Sequence, residues 1–429
     1  MEQLVISGRK PLSGKIRISG AKNASLPIMA ASLLTRETVR LEDIPPLQDV
    51  YTMTALLKHL GSKVEYDRRK KYLKIRTPQL KDFTAPYDQV GKMRASILVM
   101  GPLLARYGKA RISQPGGCAI GQRPIDLHIK GLMALGAEIV MGHGYVEARA
   151  KKLKGNKIYL DYPSVGATEN NIMAAVLAEG TTVLENCAQE PEIVDLANFL
   201  NSLGARISGA GTSIIRVQGV KTLRGGSHTV IPDRIEAGTF LIAAAITRGE
   251  VILHNVITDH LKPLLSKLEE AGVLLEEREA GLWVKGPEEI KSVDIKTLPY
   301  PGFSADLQPQ FMSLMTVARG SSVITETVFE NRFMHVPELK RMGASITIEG
   351  RTALIKSVPK LTGTLVKTPD LRAGASLVIA GLAAQGETRV TDIYHMDRGY
   401  DNLSGKLKTL GADIRRESCG NSAGAARKA

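Results

Sequence analysis

The stretch QPGGCAIGQRP, residues 114 to 124, sets a cysteine among glycines just ahead of an Arg-Pro pair able to open a helix. Structural cysteines sit among apolar side chains, and glycines offer none, so Cys118 reads as a chemical group. A helix start carries a partial positive charge, and with Arg123 beside it the thiolate is favoured as a nucleophile for an electron-poor carbon. Protonated, the same group is a proton donor. Cationic residues recur in comparable places. At the starts of six small-residue apolar helices stand Lys22, Arg94, Gly166, Arg234, Asp306 and Arg372, and ahead of a second set of helices stand Arg123, Arg332 and Arg398. Arginine forks beside helix N-termini make sites for phosphate or carboxylate. Asp306, the one carboxylate among them, is placed to act as general base, its alternative role being the N-cap of the helix LQPQFMSLM.

A sixfold repeat must position these groups. Six times a small-residue helix pattern breaks into a β-rich stretch, as in FLIAAAITRGEVILHNV and SLVIAGLAAQGETRVTDI, and a second amphipathic helix then ends on a glycine. Those glycines, Gly61, Gly136, Gly204, Gly272, Gly343 and Gly411, are spaced by 75, 68, 68, 71 and 68 residues. Two short alternating strands follow each, so one unit reads helix, strand, helix, strand, strand, an α/β architecture. The sixth unit stops at ADIRRE, and the opening strand pair LVISGRKPLSGKIRIS is expected to complete it. Two domains of three units follow: residues 21–230, and residues 1–20 with 231–418, leaving 419–429 as a flexible tail. Between the glycine before the β stretch and the end glycine, unit two spans 28 residues where units three to six span 23 to 25. The extra residues fall in PGGCAIGQ, a loop able to act as a lid. Pro124 at the first helical position, with Ile125, Ile129, Leu132 and Leu135 on one face, places Arg123 at that helix start.

A chain of 429 residues with 43% apolar and only 4% aromatic residues fits an ordinary soluble protein. The N-terminus MEQLVISGRKPL lacks an apolar signal core, which implies a cytoplasmic protein. Cys118, Cys187 and Cys419 are too scattered for a disulfide framework or a zinc site, so no metal is expected. The formal charge of +14 suits nucleic acid, a membrane surface or small anions. Scarce aromatics and basic residues confined to helix starts argue against RNA. A non-catalytic scaffold would have no use for Cys118, Asp306, Lys22 and Arg398.

Eight ordered motifs then carry a family resemblance: SGAKNASLP (19–27), MRAS (93–96), PGGCAIGQRPIDLH (115–128), SVGAT (164–168), PDRIEAGTF (232–240), ETVFENRFMHVPEL (326–339), DLRA (370–373) and DRGY (397–400). Together they resemble the UDP-N-acetylglucosamine enolpyruvyl transferases. The resemblance implies a two-domain inside-out α/β barrel of six βαβαββ-type units, three per domain. It implies addition of the sugar 3'-hydroxyl to C2 of phosphoenolpyruvate and then elimination of phosphate, without a cofactor, and with neither nucleic acid nor membrane as partner. By resemblance Lys22, Arg123 and Arg398 hold the phosphate, Arg332 and Arg372 lie near the carboxylate, and Asn23 lies beside the reacting centre. UDP-N-acetylglucosamine is held by Arg94, by Arg123, Pro124, Ile125, Asp126 and Leu127, by Ser164, Val165 and Gly166 at the diphosphate, by Asp306 at the 3'-hydroxyl and by the Val328 backbone. Cys118 is implied as general acid, as the site of a covalent phosphoenolpyruvate adduct and as the target of the epoxide fosfomycin. Many family members carry a lysine just before SVGAT; here the sequence reads DYPSVGAT, without that cation at Tyr162.

Overall fold

Among the described residues, six four-stranded sheets form the outer layer, one per repeat. The structure, a computed structural model, describes residues 2–91, 93–113 and 125–418. Cys118, Arg123, Pro124 and the tail from residue 419 therefore lie outside the described residues.

Each unit's first helix is largely buried and rich in small apolar residues, although those of units three and five also bury polar side chains such as Asn170, Asn171, Gln308 and Gln310. Arg234–Ile246, Gln308–Met315 and Leu371–Ala383 pack on one another, and Met100–Tyr107 packs on Val165–Ala175 in the other half. The strands alternate buried and exposed residues, as in Ser321–Thr325 and Thr352–Lys356, and so cover the helices with one face towards water. Close helix approach requires glycine: a Cβ on Gly101 would lie 2.4 Å from the Asn170 carbonyl oxygen. All six end glycines adopt positive φ, from 91° to 113°, as left-handed caps require.

The sheets also show how the units close on one another. Three strands of each sheet are antiparallel, and the fourth is a short parallel edge strand supplied as the chain leaves the preceding unit, as when Lys157–Tyr159 pairs with Thr181–Glu185. Gly226–Thr229, after the third unit, returns to pair with Thr38–Glu42 of the first. In the second half Glu2–Ser7 takes the missing place in the sixth sheet, between Glu387–Thr391 and Asp413–Ser418. The expectation that both N-terminal strands complete the sixth unit is corrected here. Ser13–Arg17 instead runs parallel to Glu250–His254 of the fourth, with Ile16 opposite buried Leu253. The two strands are not a hairpin: the second is the hand-over strand that closes units four to six, as Gly226–Thr229 closes units one to three.

Among the described residues two separate apolar cores result, one from Leu26 to Val230 and one from Leu4 to Ile18 together with Ile235 to Ile414. The chain passes between them twice, and the crossings run side by side. Ala21 N–H donates to the Ile231 carbonyl at 2.8 Å and Asp233 N–H to the Ser19 carbonyl at 2.8 Å. Gly20 sits at that contact, where a Cβ would fall 1.9 Å from the Asp43 carbonyl oxygen.

Candidate active site

All six positions read from the repeat fall at or within two residues of a helical start. Lys22, Arg94 and Arg234 open their helices, Gly166 and Arg372 are second residues, and Asp306 stands two residues before Gln308–Met315. Asp306 does not cap that helix, whose N-cap Leu307 makes no side-chain bond. Its carboxylate is turned to two arginines. Arg332 gives Nη2 to Asp306 Oδ1 at 2.9 Å, and Arg372 gives Nε and Nη2 to Oδ2 at 3.1 and 3.0 Å.

Both arginines are held from behind. Arg332, 2% exposed, also donates Nε to the Ala305 carbonyl at 3.0 Å and lies 3.6 Å from Asp370 Oδ1. Asp370 is itself the N-cap of Leu371–Ala383, accepting from Arg372 N and Ala373 N at 2.7 and 3.0 Å. Arg372 lies over the Tyr400 ring at 5.3 Å. Burial alone would lower the Arg372 pKa, but Asp306, Tyr400 and Asp233 together outweigh it and the guanidinium stays firmly protonated.

Lys22 comes from the other half. Its ammonium lies 3.4 Å from Asp49 Oδ2, and Asp49 Oδ1 accepts from Arg398 Nε at 3.0 Å, so one carboxylate bridges the halves. Burial pulls the Lys22 pKa down; Asp49 opposes it, and Arg372 and Arg398 act with burial. Lys22, Asp49, Asp306, Arg372 and Arg398 thus share one electrostatic neighbourhood. A lysine so placed gains from an arriving anion, which would favour its charged form. Asn23 follows Lys22 in the first turn of the same helix.

A second group lies around Val165–Ala175. Ser164 caps that helix, accepting from Ala167 N at 3.4 Å, and Val165 and Gly166 form its first turn. His128 packs against Gly166, where an added Cβ would sit 3.2 Å from the ring. Its Nδ1 is 3.0 Å from Asn170 Nδ2, which donates, so the ring is neutral with its proton on Nε2. Burial first, and then Arg94, push the His128 pKa down to about 3. His128 belongs to the helix Asp126–Ala134, which Ile125 caps and Asp126 and Leu127 open, two residues after Pro124. Val328 N–H donates to Glu326 Oε1 at 2.7 Å.

Asp49 and His128 are the residues that sequence reasoning missed. His128 closes the PIDLH motif, two residues beyond Asp126, and that proximity was its signal. Asp49, in the first turn after PPLQ, belongs to none of the motifs. Arg234 departs from the pattern in the opposite sense. Its guanidinium is spent on Glu192, with bonds of 3.1 and 3.3 Å, and so ties the two halves together without serving an anion site. Burial, Glu190 and Glu326 raise the Tyr162 pKa and Arg351 opposes them, while Arg351 Nη1 donates to the Thr327 carbonyl at 3.1 Å, beside Val328.

Comparisons with known proteins agree along the whole chain. Residues 6–407 match the family model for EPSP synthase (3-phosphoshikimate 1-carboxyvinyltransferase). A protein of Caldanaerobacter subterraneus named UDP-N-acetylglucosamine 1-carboxyvinyltransferase 1 is 62% identical over 97% of this chain and 99% of its own. One of Carboxydothermus hydrogenoformans, named UDP-N-acetylglucosamine 1-carboxyvinyltransferase 2, is 62% identical over 97% of this chain and 100% of its own. Among solved structures, the enolpyruvyl transferase NikO of Streptomyces tendae aligns with a TM-score of 0.88 at 26% identity, covering 97% of this chain and 99% of its own. EPSP synthase of Acinetobacter baumannii shares the fold, with a TM-score of 0.78 at 20% identity over 97% of this chain and 100% of its own.

Proposed function

Because this chain belongs to the 1-carboxyvinyltransferase (enolpyruvyl transferase) family, we propose that it transfers the enolpyruvyl group of phosphoenolpyruvate to the 3'-hydroxyl of UDP-N-acetylglucosamine and releases phosphate. This is the first committed step of peptidoglycan synthesis. The observation that carries the reading is 62% identity, end to end, to relatives bearing that activity in their names. A site rich in cations, drawn from both halves and including an aspartate that caps no helix, supports it.

The scaffold reads as two inside-out α/β barrels, residues 21–230 and residues 1–20 with 231–418. The separate cores and the paired crossings at Gly20 and Pro232 support that division and a hinge there. No helix of the described residues is long and apolar enough to cross a membrane, in keeping with a cytoplasmic enzyme acting on dissolved substrates.

The chemistry is addition followed by elimination. The sugar 3'-oxygen bonds to C2 of phosphoenolpyruvate, Asp306 takes the hydroxyl proton, and C3 gains a proton from Cys118 to become a methyl group. The ketal then returns a C3 proton to the Cys118 thiolate, the C2–O bond breaks with its electron pair leaving on the phosphate, and the double bond re-forms. Lys22, Arg123 and Arg398 hold the departing phosphate, and Arg332 and Arg372 hold the carboxylate. Such fixed cations stabilise charge that grows during the reaction. Ser164, Val165, Gly166, Arg94 and residues 123–127 hold the nucleotide sugar, whose diphosphate suits a free helix N-terminus. Arg351, whose charge acts on Tyr162, is the candidate for the cation that Tyr162 does not supply. A phosphate-release assay tests the reaction: phosphate appears only when both substrates are present, and release from phosphoenolpyruvate alone, or none at all, refutes it.

A further inference from the structure

Asp306 and the substrate carboxylate have a claim on the same two guanidinium groups. The structure holds Asp306 on both: Oδ1 on Arg332 at 2.9 Å, Oδ2 on two nitrogens of Arg372 at 3.1 and 3.0 Å. This fork geometry is the one a carboxylate ligand would adopt. The three partners differ in freedom. Arg332 and Arg372 are 2% and 3% exposed, and are fixed by Ala305, Asp370 and Tyr400, whereas 27% of the Asp306 side chain is open. Asp306 also sits on the approach to Leu307, outside any helix. It is the movable member of the triad.

Three of the roughly four acceptor sites of this carboxylate are taken by cationic donors. Held in that way, it is poorly placed to take the proton of a sugar hydroxyl. We infer that Asp306 occupies, in the free enzyme, the place on Arg332 and Arg372 that the phosphoenolpyruvate carboxylate takes, and that the arriving carboxylate releases Asp306 to serve as base. The inference rests on the function proposed above and deepens it.

The exchange replaces one carboxylate by another, so the buried arginines are never left without a counter-ion, which would be costly. It also makes the base available only when the enolpyruvyl donor is in place. A phosphate ester without a carboxylate can reach Lys22 and Arg398, but it leaves Asp306 paired. The donor's carboxylate therefore contributes to turnover as well as to affinity.

Titration calorimetry without sugar tests the exchange, using phosphoenolpyruvate and isopropenyl phosphate, in which a methyl group replaces the carboxylate. In Asp306→Asn the competing charge is gone while the shape remains. Phosphoenolpyruvate should then bind more tightly by about tenfold or more, the scale of one charge-assisted hydrogen bond. Isopropenyl phosphate should change by less than about twofold, since it makes no claim on the arginine pair. Equal tightening of both ligands means simple charge repulsion and overturns the inference, as does no tightening of either. If the unaltered enzyme binds no phosphoenolpyruvate, with or without UDP-N-acetylglucosamine, the proposed function fails and the exchange fails with it. Should Asp306→Asn not fold, the unaltered enzyme answers by nitrogen-15 NMR. The Nε–H signals of Arg332 and Arg372 should move together with phosphoenolpyruvate and stay in place with isopropenyl phosphate. Signals that ignore phosphoenolpyruvate, or that move equally with both ligands, overturn the inference.

Discussion

Replacing Arg398 by alanine separates anion holding from structure. Arg398 spends Nε on Asp49 at 3.0 Å among the described residues, which leaves its two terminal nitrogens for an anion. Asp49 keeps a second partner, Lys22 at 3.4 Å, so the substitution leaves no buried carboxylate without a cation. Arg398 is itself 37% exposed. The stability cost is then that of a partly exposed pair, about 1 kcal/mol or less. The catalytic cost is larger. A fixed donor facing charge that develops in the transition state contributes about 2.7–4 kcal/mol, so turnover should fall roughly 100- to 1,000-fold. Phosphate release at saturating UDP-N-acetylglucosamine reads this loss, and calorimetry should find the nucleotide sugar bound as before. Turnover within about threefold of the unaltered enzyme would refute the assignment, and so would a matching loss of sugar binding.

Two further outcomes are expected. Intact-protein mass spectrometry after mixing with both substrates should place a phosphoenolpyruvate adduct on the Cys118 peptide, absent in Cys118→Ser; Cys118→Asp should keep turnover and resist fosfomycin, and an adduct on Cys187 or Cys419 would move the chemistry elsewhere. His128 and His335, both buried and with pKa pushed down to about 3, stay neutral in the folded chain but take protons from about 6.5 downward when unfolded. Stability is thus complete above about pH 6.5 and falls towards pH 3 by about 1.4 kcal/mol per unit for each ring. Denaturant midpoints at pH 7 and pH 5 should differ less in a His128→Gln, His335→Gln double variant, and an unchanged difference would contradict the cause.

The repeat was legible because its signals are local. An end glycine needs positive φ and a largely buried helix is rich in small apolar residues, so both marks recur in each unit. Strand hand-over was not legible for Ser13–Arg17, because a five-residue strand carries no mark of which sheet will accept it. The charged residues at the helix starts could be read, but their partners could not. Arg234 has the same sequence setting as Arg372, yet one meets Glu192 and the other Asp306, a choice made by elements more than 40 residues away in the chain. Asp49 shows the same limit. It sits in an ordinary first turn, and its role arises from Arg398, 349 residues further on.

The most direct test of the central claim is the identity of the product. Incubation of the purified chain with phosphoenolpyruvate and UDP-N-acetylglucosamine, followed by mass spectrometry and NMR, should find one enolpyruvyl ether at the sugar 3'-oxygen for each phosphate released. With 3-phosphoshikimate in place of the nucleotide sugar there should be no product. An enolpyruvyl ether formed on 3-phosphoshikimate instead, or phosphate released without any ether, would contradict the account.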